Sequence, residues 1–108
     1  MRIFRIIVRG RFGPLDTAQR AALLAAADEH DMARAGPLFT ADGTLSYDRR
    51  VDFFSVRAEV RVDEDAPDAA REVAFERALA VATAQLDRRG VPYRDLRPSG
   101  TNMADVWR

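Results

Sequence analysis

Alternating apolar and polar residues predict four β-strands in the chain. The clearest alternation covers residues 3–9 and 51–62, and shorter runs at 44–47 and 93–101 predict two more strands. Pro98 places the last strand at a sheet edge, because proline cannot donate a hydrogen bond to a β-ladder. The inward-facing residues of the two long strands are Phe4, Ile6, Val8, Phe54, Val56, Ala58, Val60 and Val62.

Two amphipathic helices are predicted between the strands. The first begins after Asp16, which forms a capping-box pattern with Gln19, and continues to about Glu29. The second covers residues 67–89, begins with a proline and stops at Gly90. Its predicted buried stripe consists of Phe75, Ala78, Leu79, Ala82 and Leu86.

The order strand, helix, strand, strand, helix, strand predicts an α+β fold of the ferredoxin-like kind. In this βαββαβ sandwich a four-stranded antiparallel sheet carries both helices on one face, and the first and third strands are central neighbours. Gly36-Pro37 breaks the chain between the first helix and the second strand. Because 108 residues suit one domain, residues 1–108 are predicted to form a single ferredoxin-like unit.

The sheet face without helices is the predicted functional surface. Apolar and charged residues from both central strands mix on this face. The mixture is too apolar for a surface in open water and too charged for an ordinary core. We therefore expect a homodimer mate or a small organic ligand, anionic or aromatic, to cover this face. The alternative is a solvated face with weak cross-strand Arg–Glu pairs. The predicted ligand-binding residues are Arg5, Ile7, Arg9, Phe53, Ser55, Arg57 and Glu59.

Composition excludes several classes of function. The 17 basic and 17 acidic residues give a net charge of zero, which argues against nucleic-acid and anionic-membrane binding. All the basic residues are arginine, which fits a GC-rich coding bias. The absence of cysteine excludes disulfides and thiolate chemistry. Arginines interrupt the apolar N-terminus, so neither a signal peptide nor a spanning helix is predicted, and a cytoplasmic location is expected.

His30 and Tyr47 are the candidate proton carriers. His30 lies among acidic residues at 28–31, but consecutive helical residues diverge by about 100°, so no metal site is predicted. A hydrogen-bonded residue at a helix end is the plainer interpretation of His30. Tyr47 stands with Asp48 and Arg49 at a turn, where a phenol and a guanidinium could polarise an oxygenated ligand. The plainer interpretation of that segment is a solvated turn.

Four segments carry a resemblance to a known family. They are VRGRF at 8–12, AQRAALLAAADEHD at 18–31, GTLSYDR at 43–49 and NMADVW at 102–107. The chain resembles a family of small actinobacterial proteins whose function is unknown. The topology is also similar to the dimeric α+β barrel group, in which subunits pair through their sheets and often act on aromatic or polyketide molecules. That likeness implies a homodimer without a cofactor.

Three functions follow as hypotheses. The leading one is a small-molecule-binding domain with the ligand, or a second copy, on the open sheet face. The second is a cofactor-independent cyclase, isomerase or oxygenase of secondary metabolism, with His30 or Tyr47 as proton carrier. The third is a structural or protein-interaction module, in which Trp107 would serve as an apolar latch.

Overall fold

The computed structural model of the chain describes residues 1–35 and 38–103. Its strands form one antiparallel sheet in the order β2-β3-β1-β4, so the fold is α+β as predicted. The predicted break at Gly36-Pro37 and the predicted latch at Trp107 lie outside the described residues. The elements are β1 (Arg2–Phe12), α1 (Thr17–Ala25), α2 (Met32–Ala35), β2 (Thr44–Tyr47), β3 (Phe53–Val62), α3 (Pro67–Arg88) and β4 (Tyr93–Asn102).

The element order differs from the prediction by one helix. The short helix α2 lies between α1 and β2, which gives βααββαβ in place of the ferredoxin-like βαββαβ order. Four residues are about one helical turn, too few for hydrophobic periodicity to reveal. In addition, α1 ends at Ala25 and not near Glu29, because the chain turns there through i→i+3 hydrogen bonds such as His30 N–H to the Ala27 carbonyl.

The centre of the sheet follows the sequence prediction. β1 and β3 are antiparallel neighbours, from the pair of Arg2 and Val62 to the pair of Arg11 and Phe53. β4, which contains Pro98, is an edge strand. All eight predicted inward-facing residues of β1 and β3 are buried. Alternation therefore assigned the two faces of this central pair correctly.

Helix α3 covers the inner face of the sheet and contacts β1, β3 and β4. Its buried residues recur every four positions, and four of the five are alanines, which let the helix axis lie close to the strands. Phe75 and Leu79, which the prediction placed in this stripe, are only partly buried at its edges. The buried residues of α3 are Ala70, Ala74, Ala78, Ala82 and Leu86.

Helix α1 lies on the same side of the sheet as α3. Its Leu23 belongs to the core, and the Leu23 carbonyl accepts a hydrogen bond from the hydroxyl of Tyr47 at 2.7 Å. The opposite side of the sheet is called the open face below. No helix among residues 1–35 and 38–103 is long and apolar enough to cross a membrane.

Candidate functional site

The open face is organised in rows that run across the strands. All seven predicted ligand-binding residues lie on it, because their register places them on the side opposite the core. The rows are Ser46, Ser55, Arg9 and Arg97; then Thr44, Arg57, Ile7 and Ser99; then Glu59 and Arg5.

A pocket of about 760 Å³ opens on this face at the row of Arg9. All four strands contribute to its wall, and Asp31 and Met32 beside β2 contribute as well. Of the predicted ligand-binding residues, Arg9, Phe53 and Ser55 line it. The complete lining is Arg9, Gly10, Arg11, Asp31, Met32, Ser46, Tyr47, Asp48, Phe53, Phe54, Ser55, Asp95 and Arg97.

A bulge in β4 shapes the floor of this pocket. The register of β1 and β4 shifts between Arg9 and Arg11, so two residues of β4, Asp95 and Leu96, lie opposite Gly10 alone. Asp95 adopts a left-handed backbone with φ of 57°. A Cβ at Gly10 would come within 2.6 Å of the Phe54 ring and 2.8 Å of Leu96, so only glycine fits there. Bulges of this kind re-aim side chains and are frequent beside binding sites.

Arg57 is buried on the open face, with 8% of its surface exposed. Its Nη1 donates to the hydroxyl of Ser46 at 3.2 Å. The ion pairs among the described residues are Arg11 with Asp52 and Arg49 with Asp28, so Arg57 has no carboxylate partner there. Burial and, secondarily, the nearby Arg9 guanidinium lower the pKa of Arg57 from its ordinary value. Arg57 therefore carries a positive charge that is largely buried beside the pocket and has no ion-pair partner among the described residues.

The segment before β2 reaches the open face on both sides of the row of Arg57. Met32 lines the pocket at the row of Arg9, and the ring of Phe39 lies 5.7 Å from the guanidinium carbon of Arg5. The row of Arg57 lies between these two rows. This covering segment, residues 31–35 and 38–40, was not expected from the sequence, which predicted a face without helices.

Arg5 and Ile7 line a second, smaller pocket of about 470 Å³ with Phe39. Arg9 belongs to both pockets, so the two are adjacent along β1. Glu59 is the cross-strand neighbour of Arg5, but no ion pair joins them in the described structure, because Arg5 lies over the ring of Phe39 instead.

Phe53 and Met32 give the pocket an apolar side. They are 61% and 48% exposed, which is high for large hydrophobic residues that face one concavity. The guanidinium carbon of Arg11 lies 4.9 Å from the centre of the Phe53 ring, so one face of that ring is stacked by a cation.

Three carboxylates also line the pocket. The Asp31 carboxylate accepts the backbone N–H of Ala33, and the Asp48 carboxylate accepts that of Arg50. Asp95 lies at the bulge of β4. These bonds partly satisfy Asp31 and Asp48, and the three carboxylates equal in number the lining arginines Arg9, Arg11 and Arg97.

His30 and Tyr47 both have structural partners. The Tyr47 hydroxyl donates to the Leu23 carbonyl, and His30 Nδ1 donates to the Leu45 carbonyl at 3.1 Å. Their rings stack with centroids 5.3 Å apart. His30 is not among the residues that line the pocket, and Tyr47 lines it with its hydroxyl turned toward α1. In the described residues, no group of three His, Asp or Glu side chains could hold a metal ion.

Ser46, Arg97 and Met32 line the pocket but were not singled out from the sequence. Alternation in β2 and β4 could have placed Ser46 and Arg97 on the open face, since they follow the same period of two as Ser55 and Arg9. No local signal identifies Met32, because α2, on which it lies, is too short to show periodicity.

Comparison with known proteins gives a family match over nearly the whole chain. A family model of proteins of unknown function matches residues 1–107. No curated protein and no solved structure gives a significant match to the chain.

Proposed function

The chain belongs to the family of unknown function DUF6204, and from its geometry we propose that the open-face pocket binds a small organic anion with an aromatic or other apolar part. The observation that carries this proposal is the buried Arg57 guanidinium, which has no carboxylate partner among the described residues. A buried charge is costly unless it is paired. Arg57 does not line the pocket itself, so an anion bound there would offset its charge from across Ser46, which does line it.

Ser46 would link Arg57 to the ligand. Because its oxygen accepts the N–H of Arg57, its own O–H proton is free to be donated, and Ser46 lines the pocket. Arg9 and Arg97 belong to the same row, and guanidinium groups bind carboxylates with two parallel hydrogen bonds. A carboxylate at this row would thus contact Ser46 and these arginines, with the charge of Arg57 behind it.

The apolar part of the ligand would lie against Phe53 and Met32. Both side chains are exposed, and covering them would remove apolar surface from water. The pocket volume of about 760 Å³ is within the range typical of small-molecule sites. These features favour an aromatic carboxylate over a small inorganic anion.

The enzyme hypothesis has weaker support. A general acid or base must reach the reacting atom of its substrate. The hydroxyl of Tyr47 and the Nδ1 of His30 both donate to backbone carbonyls, which accounts for them as structural groups. Binding is therefore the function that the geometry supports best.

Pairing of two copies through their open faces is a second proposal. Exposed Phe53 and half-buried Ile7 favour it, because pairing would bury both. The arginines of two facing copies would repel each other, so bound anions should promote the pair. Light scattering with and without the aromatic anion 2-naphthoate tests this. A monomer at micromolar concentration in both conditions would remove the proposal.

Calorimetric titration with 2-naphthoate tests the binding proposal. Arg9→Gln should weaken binding about tenfold or more, since it removes a charge that the carboxylate contacts. Arg57→Met should weaken binding less, because Arg57 acts through Ser46 from behind the lining. The control variant is Arg71→Gln, on α3, whose guanidinium stacks on Phe75 away from the pocket. It should bind as the wild type does.

The ligand has a matched control as well. The neutral analogue 2-naphthylmethanol keeps the rings and removes the charge, so it should bind more weakly than 2-naphthoate. Equal affinity for the two compounds would contradict the anion site. So would unchanged 2-naphthoate binding by folded Arg9→Gln, which alters an exposed residue and is expected to leave the fold intact.

A further inference from the structure

A separate concavity of about 380 Å³ lies at one end of the sheet, where β1 ends and β3 begins. Three arginines from distant parts of the chain line it: Arg20 on α1, Arg50 in the turn between β2 and β3, and Arg94 on β4. None of them lines the open-face pocket. The concavity is therefore a distinct feature of the fold.

The charge of this concavity is strongly unbalanced. Its lining includes one carboxylate, that of Asp52, and Asp52 already accepts a hydrogen bond from Arg11 at 3.4 Å. None of the three arginines belongs to an ion pair within the described part of the chain. In a chain with a net charge of zero, three arginines lining one concavity are a local excess of positive charge.

The backbone beside the concavity is strained. Val51, between Arg50 and Asp52, has φ of 55°, which is unfavourable for a β-branched residue. Its side chain is 2% exposed and anchored in the core, and its N–H donates to the Asp48 carbonyl at 3.1 Å. This conformation places Arg50 and Asp52 on the rim of one concavity. Strain of this kind is concentrated at binding sites.

We infer that this concavity is a second anion site, which takes the phosphate group of a small phosphorylated molecule. A phosphate monoester carries about −1.5 to −2 charges at neutral pH and three acceptor oxygens. Three guanidinium groups can satisfy all three oxygens, whereas a carboxylate offers only two. The inference does not depend on the proposed function of the open face, because different side chains carry it.

Titration of the purified protein with inorganic pyrophosphate, followed by calorimetry, tests this inference. Arg20→Gln and Arg94→Gln should each weaken binding about tenfold or more, because each removes charge-assisted hydrogen bonds. Arg71→Gln should not change it. Asp52→Asn should strengthen binding, since it removes the carboxylate from the lining.

Further variants separate the two sites. Arg9→Gln should leave pyrophosphate binding unchanged, and Arg20→Gln should leave 2-naphthoate binding unchanged. Loss of pyrophosphate binding in Arg9→Gln but not in Arg20→Gln would place the probe in the open-face pocket and overturn the inference. The inference would also be overturned if all the arginine variants lost pyrophosphate affinity equally, or if the wild type did not bind pyrophosphate. Tighter binding of a short single-stranded oligodeoxynucleotide, with the same dependence on Arg20 and Arg94, would indicate a nucleic-acid site instead.

Discussion

The hydroxyl of Tyr47 forms a hydrogen bond within the fold. The hydroxyl donates to the Leu23 carbonyl at 2.7 Å, and the ring packs edge-on against Phe12 with centroids 5.6 Å apart. Only 6% of the residue is exposed. Burial is the main cause that raises the pKa of Tyr47 above its ordinary value of 10.0. The neutral phenol therefore stabilises the attachment of α1 to β2.

We expect Tyr47→Phe to lower the free energy of unfolding by about 1 to 2 kcal/mol at neutral pH, since the Leu23 carbonyl loses its donor. The raised pKa should also make the wild type lose stability above about pH 10, because Tyr47 then ionises more readily in the unfolded chain. Chemical denaturation at neutral pH and above about pH 10 measures both effects. The variant should lose less stability on raising the pH, and an equal loss in both proteins would contradict this role.

Arg57 and Ser46 show which features of a single site the sequence pattern can predict and which it cannot. The period of two assigned Arg57 to the open face correctly, because successive strand residues point to opposite faces. It could not show that Arg57 is buried, because the segment that reaches this face, with Met32 on α2 and Phe39 before β2, has no periodic pattern that places it there. The predicted set was therefore on the right face but lacked the residues that complete the pocket.

The turn between the covering segment and β2 depends on Gly43. Its φ is +85°, and a Cβ there would lie 2.7 Å from Val81 and 2.8 Å from Val56. Gly43 also contributes its carbonyl to a hydrogen bond from the Gln85 side chain on α3 at 2.8 Å. This one residue thus fixes how the segment before β2 meets both the sheet and the helix.

Gly43→Ala should destabilise the protein more than Gly90→Ala does, by at least about 1 kcal/mol. Both glycines have positive φ, so alanine strains the backbone at each, by about 1 to 2 kcal/mol. A Cβ at Gly90 meets nothing within 4 Å, whereas one at Gly43 collides with two valines. Urea denaturation of the two variants gives the comparison. Equal losses of unfolding free energy in the two variants would contradict the close packing described around Gly43.

Long elements were predictable and short ones were not. The strands β1 and β3 and the helix α3 extend over ten or more residues, so their periodicity outweighs local exceptions. The helix α2 has four residues, and the bulge opposite Gly10 depends on contacts between strands. The prediction missed both features, and these two features shape the pocket.

The whole molecule combines a neutral total charge with an uneven distribution of arginine. The open face carries Arg5, Arg9, Arg57 and Arg97, with Glu59 as the acidic residue in the same rows. Since the net charge is zero, long-range attraction contributes little, and recognition of an anion would depend on these local groups. Family membership extends over residues 1–107 but brings no function with it.

The central claim is that the row of Arg9 on the open face binds an organic anion. Titration of the ¹⁵N-labelled protein with 2-naphthoate, followed by two-dimensional NMR, tests it most directly because the response is mapped onto each backbone amide. The account predicts saturable shifts concentrated at Arg9, Ser46, Ser55 and Arg97, with the amides of α3 unaffected. Saturable shifts confined to α3, or no saturable shifts at all, would contradict it.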